Sequence, residues 1–457
     1  MGGLLTGIFV IRRNQSDDGT RSPHPVYWLS IQDALAGGFS LKHIRGQRQN
    51  TEIQQIAESS NAVIHARKAR SFAVIALAVG LCIGHLRQAG AAQHTEGPAV
   101  IAYVFPNETM LQPGDVAARK LTRINYAFSN IDGNRMVIGA PVDVQNLATL
   151  VGLKKENPSL TVLVSVGGWL WSGGFSDMSL THESRTAFIQ SVVEFLKQYQ
   201  LDGLDIDWEY PAMEGSTKHF RPEDTQNYTL LLAELRSRFD TEEKLLHRRL
   251  YLSIAVGGEH DFIEHTEMGK VQKYVDTVNL MAYDYYEPGS EPITGNQAPL
   301  FANPADPKKI SAARSIEDYE QAGVPAEKIV LGVPFYGHAW GQVPGENHGL
   351  FQPGKKAPNT YARYGNIVSS MLKQGYTRYW DATASAPYLY NPEKRIFVSY
   401  EDPESLTLKC KYVLDHKLAG VMFWDYESDP TGMLLDTIDQ QFHLNAAPAA
   451  ASGTGAR

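Results

Sequence analysis

The chain has 457 residues, of which 43% are hydrophobic and 20% are charged. This composition is too apolar for a disordered protein and too polar for a protein with many membrane spans. Acidic residues outnumber basic ones by 50 to 42, and the formal net charge of -8 argues against nucleic acid as a partner, because phosphate binding needs a basic surface. Only two cysteines are present, Cys82 and Cys410, so a disulfide scaffold is excluded.

The first 92 residues differ in charge from the rest of the chain. They carry 10 basic and 5 acidic residues, and 32 basic and 45 acidic residues follow, so a net charge of +5 precedes one of -13. A basic cluster at 67–70 comes directly before the apolar run Phe72–Gly84, which is too short to span a bilayer and typical of a secretory signal. We expect residues 1–92 to be a leader that is cleaved near Ala91, with the protein secreted to the extracellular space or periplasm. The alternative is a buried helix of a folded N-terminal domain.

From Val100 onward, eight short β-rich runs alternate with segments of helical spacing. Near-continuous apolar strands separated by helices indicate a parallel, closed sheet, so we predict the α/β class and a (β/α)8 TIM barrel over residues 97–445. The predicted strands are Val100–Phe105, Arg123–Ile131, Leu160–Gly168, Leu201–Tyr210, Leu250–Val256, Val275–Tyr283, Ile329–Gly337 and Leu418–Tyr426. The predicted helices are Arg185–Tyr199, Asp224–Phe239, Ser315–Ala322 and Pro403–His416.

One interval departs from this alternation. Between Tyr336 and Pro403 the chain is rich in glycine, proline, tyrosine and tryptophan, with strand-like segments at Thr377–Asp381 and Arg395–Tyr400. The interval is too long for a bare loop, so we predict a small α+β insertion over residues 339–402, after the seventh strand. The tail at 446–457 has low complexity, and we expect it to be disordered.

The fourth predicted strand carries acidic residues at every second position. Because side chains alternate along a strand, Asp205, Asp207 and Glu209 project together into the barrel interior. Three ionised carboxylates there would cost on the order of several kcal/mol in lost hydration and repulsion. Since repulsion keeps a proton in such a group, the pattern favours acid catalysis near neutral pH. A carboxylate metal site is the alternative, but the segment contains no histidine, and we expect neither a metal nor a cofactor.

The segment Asp202–Glu209 matches the pattern D-G-x-D-x-D-x-E at every defined position. In this the chain resembles glycoside hydrolase family 18, the chitinases and their relatives, over about Val100 to Phe442. Further matching segments are Ser165–Trp169, Met281–Asp284 and Phe423–Trp424. The insertion resembles the one that deepens the cleft in the processive and exo-type subfamily. One position departs from the family pattern: His338 stands where relatives usually carry arginine, and an imidazole does not reproduce the forked donors of a guanidinium.

The resemblance implies a substrate-assisted, retaining mechanism. Glu209 would donate a proton to the glycosidic oxygen, and the carbonyl oxygen of the substrate's own acetamido group would attack the anomeric carbon to form an oxazolinium ion. Asp207 would hydrogen-bond the acetamido N–H, and Asp205 would share a proton with Asp207. Tyr283 would hold the acetamido carbonyl, and Asp284 would line the same pocket.

The resemblance also implies a set of substrate contacts around this pocket. Trp424 is expected beneath the distorted sugar, and Trp169 and Trp171 on the leaving-group side. The full set of expected substrate-binding residues is Tyr103, Phe128, Gly168, Trp169, Trp171, Met281, Tyr336 and Trp424. The implied substrate is chitin or N-acetylglucosamine oligosaccharides. We expect a monomer with no stable membrane association once the leader is removed.

Two other functions stay open at this point. One is an endo-β-N-acetylglucosaminidase that acts on N-glycans or peptidoglycan. The other is a non-catalytic chitin-binding lectin, which is disfavoured because lectins of the family replace the acid and Glu209 is intact. The large insertion favours a deep cleft for a long linear polymer, and hence chitin.

Overall fold

Eight parallel strands close into a barrel within residues 97–358 and 362–442, the parts of the chain that the computed structural model describes. The first barrel strand pairs in parallel with both the second and the last, which closes the sheet. The barrel strands are β1 (Ala99–Val104), β2 (Arg123–Asp132), β4 (Thr161–Gly167), β5 (Gly203–Asp207), β6 (Tyr251–Gly257), β7 (Thr277–Met281), β8 (Ile329–Pro334) and β14 (Gly420–Trp424). A short strand, β3 (Arg135–Val137), pairs antiparallel with the end of β2. The predicted leader (1–92) and tail (446–457) lie outside the described residues.

The predicted barrel is confirmed, and each of the eight predicted runs overlaps one barrel strand. The largest difference is in the fourth run, where β5 ends at Asp207 and not at Tyr210. Glu209 therefore lies two residues beyond the strand, in the loop that follows it. It is still at the carboxyl end of the barrel, where the active sites of such barrels lie.

The two faces of β5 have opposite character. Leu204 and Ile206 are completely buried in the main apolar core, whereas Asp205 and Asp207 alternate with them. Trp208 is also in the core, and its ring stacks on Phe175 with the centroids 5.0 Å apart. The alternation of this strand thus separates a packing face from a face of carboxylates.

The helices begin where capping side chains satisfy free backbone N–H groups. The Thr181 hydroxyl accepts a hydrogen bond from the Ser184 backbone N–H at 3.1 Å at the start of the third helix. The Asp402 side chain caps the ninth helix in the same way, and Pro403 is the first residue of that helix. The helices are α1 (Asp143–Gly152), α2 (Phe175–Met178), α3 (His182–Tyr199), α4 (Asp224–Leu246), α5 (His260–Glu264), α6 (Met268–Val271), α7 (Ala312–Gln321), α8 (Tyr364–Ser369), α9 (Pro403–Asp415) and α10 (Met433–Phe442). All four predicted helices are present. In the described part of the chain, none of the helices is both long and apolar enough to cross a bilayer.

The predicted insertion after the seventh barrel strand is confirmed as a five-stranded antiparallel sheet together with the short helix α8. Its strands lie in the order β10-β9-β13-β12-β11. They are β9 (His338–Gly341), β10 (Lys355–Lys356), β11 (Thr377–Asp381), β12 (Ala386–Asn391) and β13 (Ile396–Ser399). Because β9 begins four residues after β8 ends, the insertion starts directly beside the carboxyl end of the barrel.

Candidate active site

Asp205 lies inside the barrel with no exposure to solvent. Its Oδ2 accepts hydrogen bonds from the hydroxyls of Tyr103 at 2.9 Å and Ser165 at 2.8 Å. Its Oδ1 accepts from the Ser253 hydroxyl at 2.6 Å and the Asn279 amide at 3.1 Å. Burial raises the pKa of Asp205, and the hydrogen bonds from the three hydroxyls oppose that rise. This carboxyl group is fixed in place by donors from four other strands.

Asp207, one step further along the inner face, has a different environment. It is 4% exposed, and its Oδ1 has no hydrogen-bond partner among the described residues. Burial raises its pKa well above the ordinary value, and the charges of Glu209 and Asp205 add to the rise. A buried carboxyl oxygen without a protein donor is available to a group that the substrate brings.

The backbone N–H of Glu209 donates a hydrogen bond to the Ser172 hydroxyl at 2.9 Å, which fixes the position of the residue. Burial raises the pKa of its side chain to about 7, a hydrogen bond from Tyr210 opposes that rise, and the charges of Asp284 and Glu287 add to it. A carboxyl group with this pKa is partly protonated at neutral pH. It can therefore donate a proton there and accept one later, as an acid–base catalyst must.

A polar wall formed by the loops after β7 and β8 faces these carboxylates. Asp284 accepts hydrogen bonds from the Tyr336 hydroxyl at 2.6 Å and from Nε2 of His338 at 2.8 Å. The rings of Tyr283 and Tyr336 meet edge to face at 6.3 Å. Burial and the charge of Asp284 raise the pKa of both tyrosines, so both hydroxyls stay protonated and can donate hydrogen bonds.

Aromatic rings form the opposite side of the site. The Trp424 ring stacks on Phe105 and on Phe128 at centroid distances of 5.6 and 5.5 Å. Trp171 contacts Phe128 at 5.7 Å and is 37% exposed, and Trp169 is 50% exposed. Flat, partly exposed rings beside hydrogen-bonding groups suit the apolar faces and hydroxyl rims of sugar rings.

The predicted site residues all lie in the barrel strands or in the loops at their carboxyl ends. Two of them have an indirect position. Tyr103 is 2% exposed and its hydroxyl bonds Asp205, so it supports that carboxylate from below. Gly168 has φ +85°, and a Cβ there would lie 2.6 Å from the Phe128 ring, so glycine is needed for the aromatic side to pack. The predicted proton sharing between Asp205 and Asp207 stays a prediction, since both Asp205 oxygens accept other hydrogen bonds.

Several residues that complete the site were not predicted as site residues. Ser253 and Asn279 bond Asp205, and Phe105 packs on Trp424. A usable signal existed for the first two, because each is a polar residue at an inward position of an otherwise apolar strand. No such signal marks Phe105, whose role follows only from its neighbours in space.

One group of described residues has donor atoms that suit a metal ion. Oxygens of Asp284 and Glu287 and a nitrogen of His338 lie within 4.8 Å of one another. The Asp284–His338 separation of 2.8 Å is that of a hydrogen bond, shorter than the roughly 3.3 Å expected between two ligands of a tetrahedral zinc ion from its bond lengths. We therefore interpret the group as a hydrogen-bonded cluster.

Glycosyl hydrolases family 18 matches residues 99–429, which is more than half of the chain. The chain belongs to this family and is a glycoside hydrolase. The match includes the barrel, the carboxylate strand and the insertion.

Three relatives illustrate the range of the family. Chitinase A1 of Niallia circulans is 38% identical over 301 residues, which cover 62% of this chain and 43% of that protein. Chitinase B of Serratia marcescens is 32% identical over 399 residues, covering 71% and 77% of the two chains. The solved structure of a family 18 N-acetylglucosaminidase from Paenibacillus barengoltzii has a TM-score of 0.69 and 39% identity, and the match covers 76% of this chain and all of that one. The chain thus spans less than half the length of chitinase A1.

Proposed function

We propose that this chain is a chitinase that hydrolyses β-1,4 bonds between N-acetylglucosamine units with retention at the anomeric centre. The observation that carries the proposal is the pair of Asp207, which is buried, and Glu209, which is partly buried: both have raised pKa values, and among the described residues no cation is bonded to either carboxyl group. The chitinases among its relatives support the choice of substrate. The aromatic side of the cleft supports a sugar substrate of any kind.

In the first step, Glu209 donates its proton to the glycosidic oxygen. Its pKa of about 7 supplies a protonated group at neutral pH, and its position after the end of β5 leaves the side chain partly open to the cleft. The bond to the leaving sugar breaks as positive charge develops at the anomeric carbon. The proton transfer is worth about a hundredfold to ten-thousandfold in rate.

The substrate's own acetamido oxygen then bonds the anomeric carbon, and Asp207 acts on the other end of that group. The unpartnered Oδ1 of Asp207 accepts a hydrogen bond from the acetamido N–H and stabilises the positive charge of the oxazolinium ion. Tyr283 donates to the acetamido oxygen and orients it. Asp205 acts through its charge and fixed position, with its own oxygens satisfied by the barrel. Glu209, now a carboxylate, takes a proton from the incoming water, whose oxygen bonds the anomeric carbon as the bond from that carbon to the acetamido oxygen breaks. Glu209 is protonated again, and the two displacements retain the anomeric configuration.

Replacement of the Glu209 carboxyl group by an amide tests the assignment of Glu209 as the acid. The substitution Glu209→Gln keeps the shape of the side chain and removes the acid, so hydrolysis of chitin oligosaccharides should fall by at least about a hundredfold while binding is nearly unchanged. A matched control is Glu156→Gln, an exposed residue in the loop before β4, which should leave turnover unchanged. Turnover of Glu209→Gln within a hundredfold of the wild type would refute the acid assignment.

A second candidate activity is release of single N-acetylglucosamine units, favoured by the similarity to the N-acetylglucosaminidase from Paenibacillus barengoltzii. Product analysis on N-acetylglucosamine oligomers, beside peptidoglycan and a high-mannose glycan, separates these possibilities. A chitinase releases mainly short oligosaccharides from the oligomers. Exclusive release of monosaccharide, or turnover confined to one of the other two substrates, would contradict the chitinase proposal.

The proposal includes secretion and a monomeric state. The secretion proposal rests on the sequence of residues 1–92, with its basic cluster, apolar run and small residues before Ala92. Mass measurement of the secreted protein should give a mature chain that begins near Ala92, and a secreted protein that retains residues 1–91 would contradict it. Light scattering of the mature protein should give the mass of a single chain.

A further inference from the structure

Arg123 is the only lysine or arginine in the eight barrel strands, all of which lie in the described part of the chain. It is the first residue of β2, at the amino end of the barrel, and is 8% exposed. The carboxylates of β5 lie further along the same barrel interior. Because a buried cation is costly unless it has partners, the contacts of Arg123 indicate what it does.

A chain of hydrogen bonds joins Arg123 to Asp205. Nη1 of Arg123 donates to Oγ1 of Thr277 at 2.9 Å, and three other strands of the sheet lie between β2 and β7, so this bond crosses the barrel interior. The Thr277 hydroxyl donates to Oδ1 of Asn279 at 3.2 Å. Nδ2 of Asn279 donates to Oδ1 of Asp205 at 3.1 Å and to the Tyr103 hydroxyl at 3.0 Å. The members of the chain are at most 9% exposed.

The hydrogen bonds of this chain all run in one direction. Each group between Arg123 and Asp205 accepts from the side of the cation and donates toward the carboxylate, and the Tyr103 hydroxyl completes the chain by donating to Oδ2 of Asp205. Aligned hydrogen bonds polarise one another, and they are stronger in a buried environment than in water. The arrangement therefore favours the charged form of Asp205.

Two other groups face the guanidinium of Arg123. The Tyr251 ring lies 5.2 Å from it, and the negative charge of Asp276 acts on it from the segment before β7. Asp276 also pairs with Arg249 and, at 3.6 Å, with Arg236. Burial lowers the pKa of Arg123 and the nearby acids oppose that change, but an arginine stays charged from acidic to neutral pH.

At the other end of the chain, the groups that face Asp205 are hydroxyls, an amide and one acid. Burial raises the pKa of Asp205, and the charge of Arg123 opposes that rise together with the hydrogen bonds from the hydroxyls. The acid is Asp207, whose pKa is raised by burial and then by the charges of Glu209 and Asp205. Tyr103 is neutral in acid, because its pKa is raised well above the ordinary value.

We propose that Arg123 is a positioning residue that keeps Asp205 in its charged form through Thr277 and Asn279. A fixed negative charge then lies beside Asp207 when positive charge develops on the substrate. The enzyme keeps this charge to a lower pH than two buried acids without a cation could. The inference rests on the proposed function, in which these carboxylates stabilise the oxazolinium ion.

Two substitutions separate the charge of Arg123 from its hydrogen bond. Arg123→Gln keeps a polar side chain with an amide donor and removes the charge, whereas Arg123→Lys keeps the charge. The control is Arg249→Gln, because Arg249 also lies near the Tyr251 ring, at 5.9 Å, and pairs with Asp276, but is 50% exposed. The measurement is kcat/KM on chitin oligosaccharides from pH 3 to 8, and urea unfolding checks that each variant is folded.

The acidic limb of the profile should lie about one pH unit higher in Arg123→Gln than in the wild type, from Coulomb's law for a unit charge on the order of 10 Å away at an effective dielectric constant of about 20. The reason is that Asp205 is protonated at a higher pH once the cation is gone. Arg123→Lys and Arg249→Gln should keep the wild-type limb. A limb of Arg123→Gln within about 0.2 pH unit of the wild type would overturn the inference, as would a limb of Arg123→Lys that coincides with that of Arg123→Gln.

A double substitution separates the effect on charge from support of the fold. On the acidic side of the limb, Arg123→Gln should lower kcat/KM about tenfold in the wild type. It should leave the residual kcat/KM of Asp205→Asn unchanged, because that variant has no charge at this position to lose. An equal loss in both backgrounds would overturn the inference in favour of a purely structural arginine.

Thr277→Val provides the test if Arg123→Gln does not fold. This substitution keeps the shape of the side chain and removes the hydroxyl that connects Arg123 to Asn279. Its acidic limb should move in the same direction as that of Arg123→Gln, and an unchanged limb would overturn the inference.

Failure of this inference is distinguishable from failure of the proposed function. If the carboxylates act as proposed but Arg123 does not keep Asp205 charged, Glu209→Gln is inactive while the acidic limbs of the Arg123 variants coincide with the wild type. If the proposed function is wrong, Glu209→Gln retains turnover whatever the profiles of the Arg123 variants show.

Discussion

Two regions of the molecule bury carboxyl groups to a similar degree, but one pairs its carboxyl group with a cation and the other does not. At the junction of the insertion and α9, Glu401 is 2% exposed and Lys409 is fully buried. The Lys409 ammonium donates to Glu401 and, at 2.7 Å, to the Ala298 carbonyl, and the Ser405 hydroxyl donates to Glu401 at 2.6 Å. In the barrel, Asp207 is 4% exposed, with one oxygen unpartnered among the described residues.

The difference shows that burial of an acid does not by itself indicate a functional site. Burial raises the pKa of Glu401 and of Asp207 alike, but a buried cation opposes the rise at Glu401, whereas neighbouring acids increase it at Asp207. A paired acid joins two parts of the fold. An unpaired one is costly to the fold and is retained where it acts on a ligand.

The largest effect on stability is expected from removal of the partner of Glu401. Lys409→Met leaves a buried acid without its cation and should lower the free energy of unfolding by about 3–5 kcal/mol, as measured by urea unfolding at pH 8. The matched control is Lys411→Met on the same helix, because Lys411 is exposed and should change stability by less than about 0.5 kcal/mol. A loss under about 1 kcal/mol for Lys409→Met would contradict the structural role of the pair.

A smaller effect, on turnover, is expected from Asp207. Asp207→Asn keeps the shape of the side chain but removes the charge that stabilises the oxazolinium ion, so kcat on chitin oligosaccharides should fall about 10- to 100-fold, or roughly 1.4–2.7 kcal/mol. Asp240→Asn, an exposed position on α4, is the control and should leave kcat unchanged. A kcat for Asp207→Asn equal to that of the wild type would contradict the proposed role of Asp207 in the reaction.

The smallest effect is expected from Glu209→Gln, which should raise the free energy of unfolding at alkaline pH. The pKa of Glu209 is raised from 4.5 to about 7 in the folded protein, so the folded state binds this proton more tightly than the unfolded state. Its contribution to stability is complete below pH 4.5 and is lost as pH rises through 7. Since its side chain is partly exposed, Glu209→Gln should be more stable than the wild type by about 1–2 kcal/mol at pH 8.

The same gain should vanish at pH 4, where the wild-type side chain is protonated in both states. Thermal or urea unfolding at the two pH values provides the measurement, with Glu156→Gln as the control. Equal stability of Glu209→Gln and the wild type at pH 8 would mean that the carboxylate is not strained in the folded protein.

Much of the barrel could be predicted from the chain because it depends on local patterns. Apolar runs such as Val275–Tyr283 and capped helices such as Pro403–His416 are visible in the sequence. The insertion was harder to predict from the sequence, because only Thr377–Asp381 and Arg395–Tyr400 have the pattern of a strand. Strand β10 has two residues, Lys355 and Lys356, and forms only because β9 lies beside it. Such a strand has no sequence pattern of its own.

The candidate site also has one part that follows from local sequence and one that does not. Alternation along β5 predicts from the sequence that Asp205 and Asp207 share a face. The donors that surround Asp205 are brought together by barrel closure, with Tyr103 and Asn279 separated by 176 positions along the chain. The contact between His338 and Asp284 likewise needs the start of β9 and the loop after β7, which the fold places side by side. Contacts of this kind follow from the fold and not from local sequence.

The proposal that the substrate's acetamido group takes part in the reaction is tested most directly by substrates that lack it. The measurement is the initial rate of hydrolysis of a hexamer of N-acetylglucosamine beside its fully deacetylated counterpart, at the same concentration and at neutral pH. Because Asp207 and Tyr283 are proposed to act only on the acetamido group, the deacetylated hexamer should be cleaved at least about a hundredfold more slowly. Cleavage of the two hexamers at rates within about tenfold of each other would contradict the account.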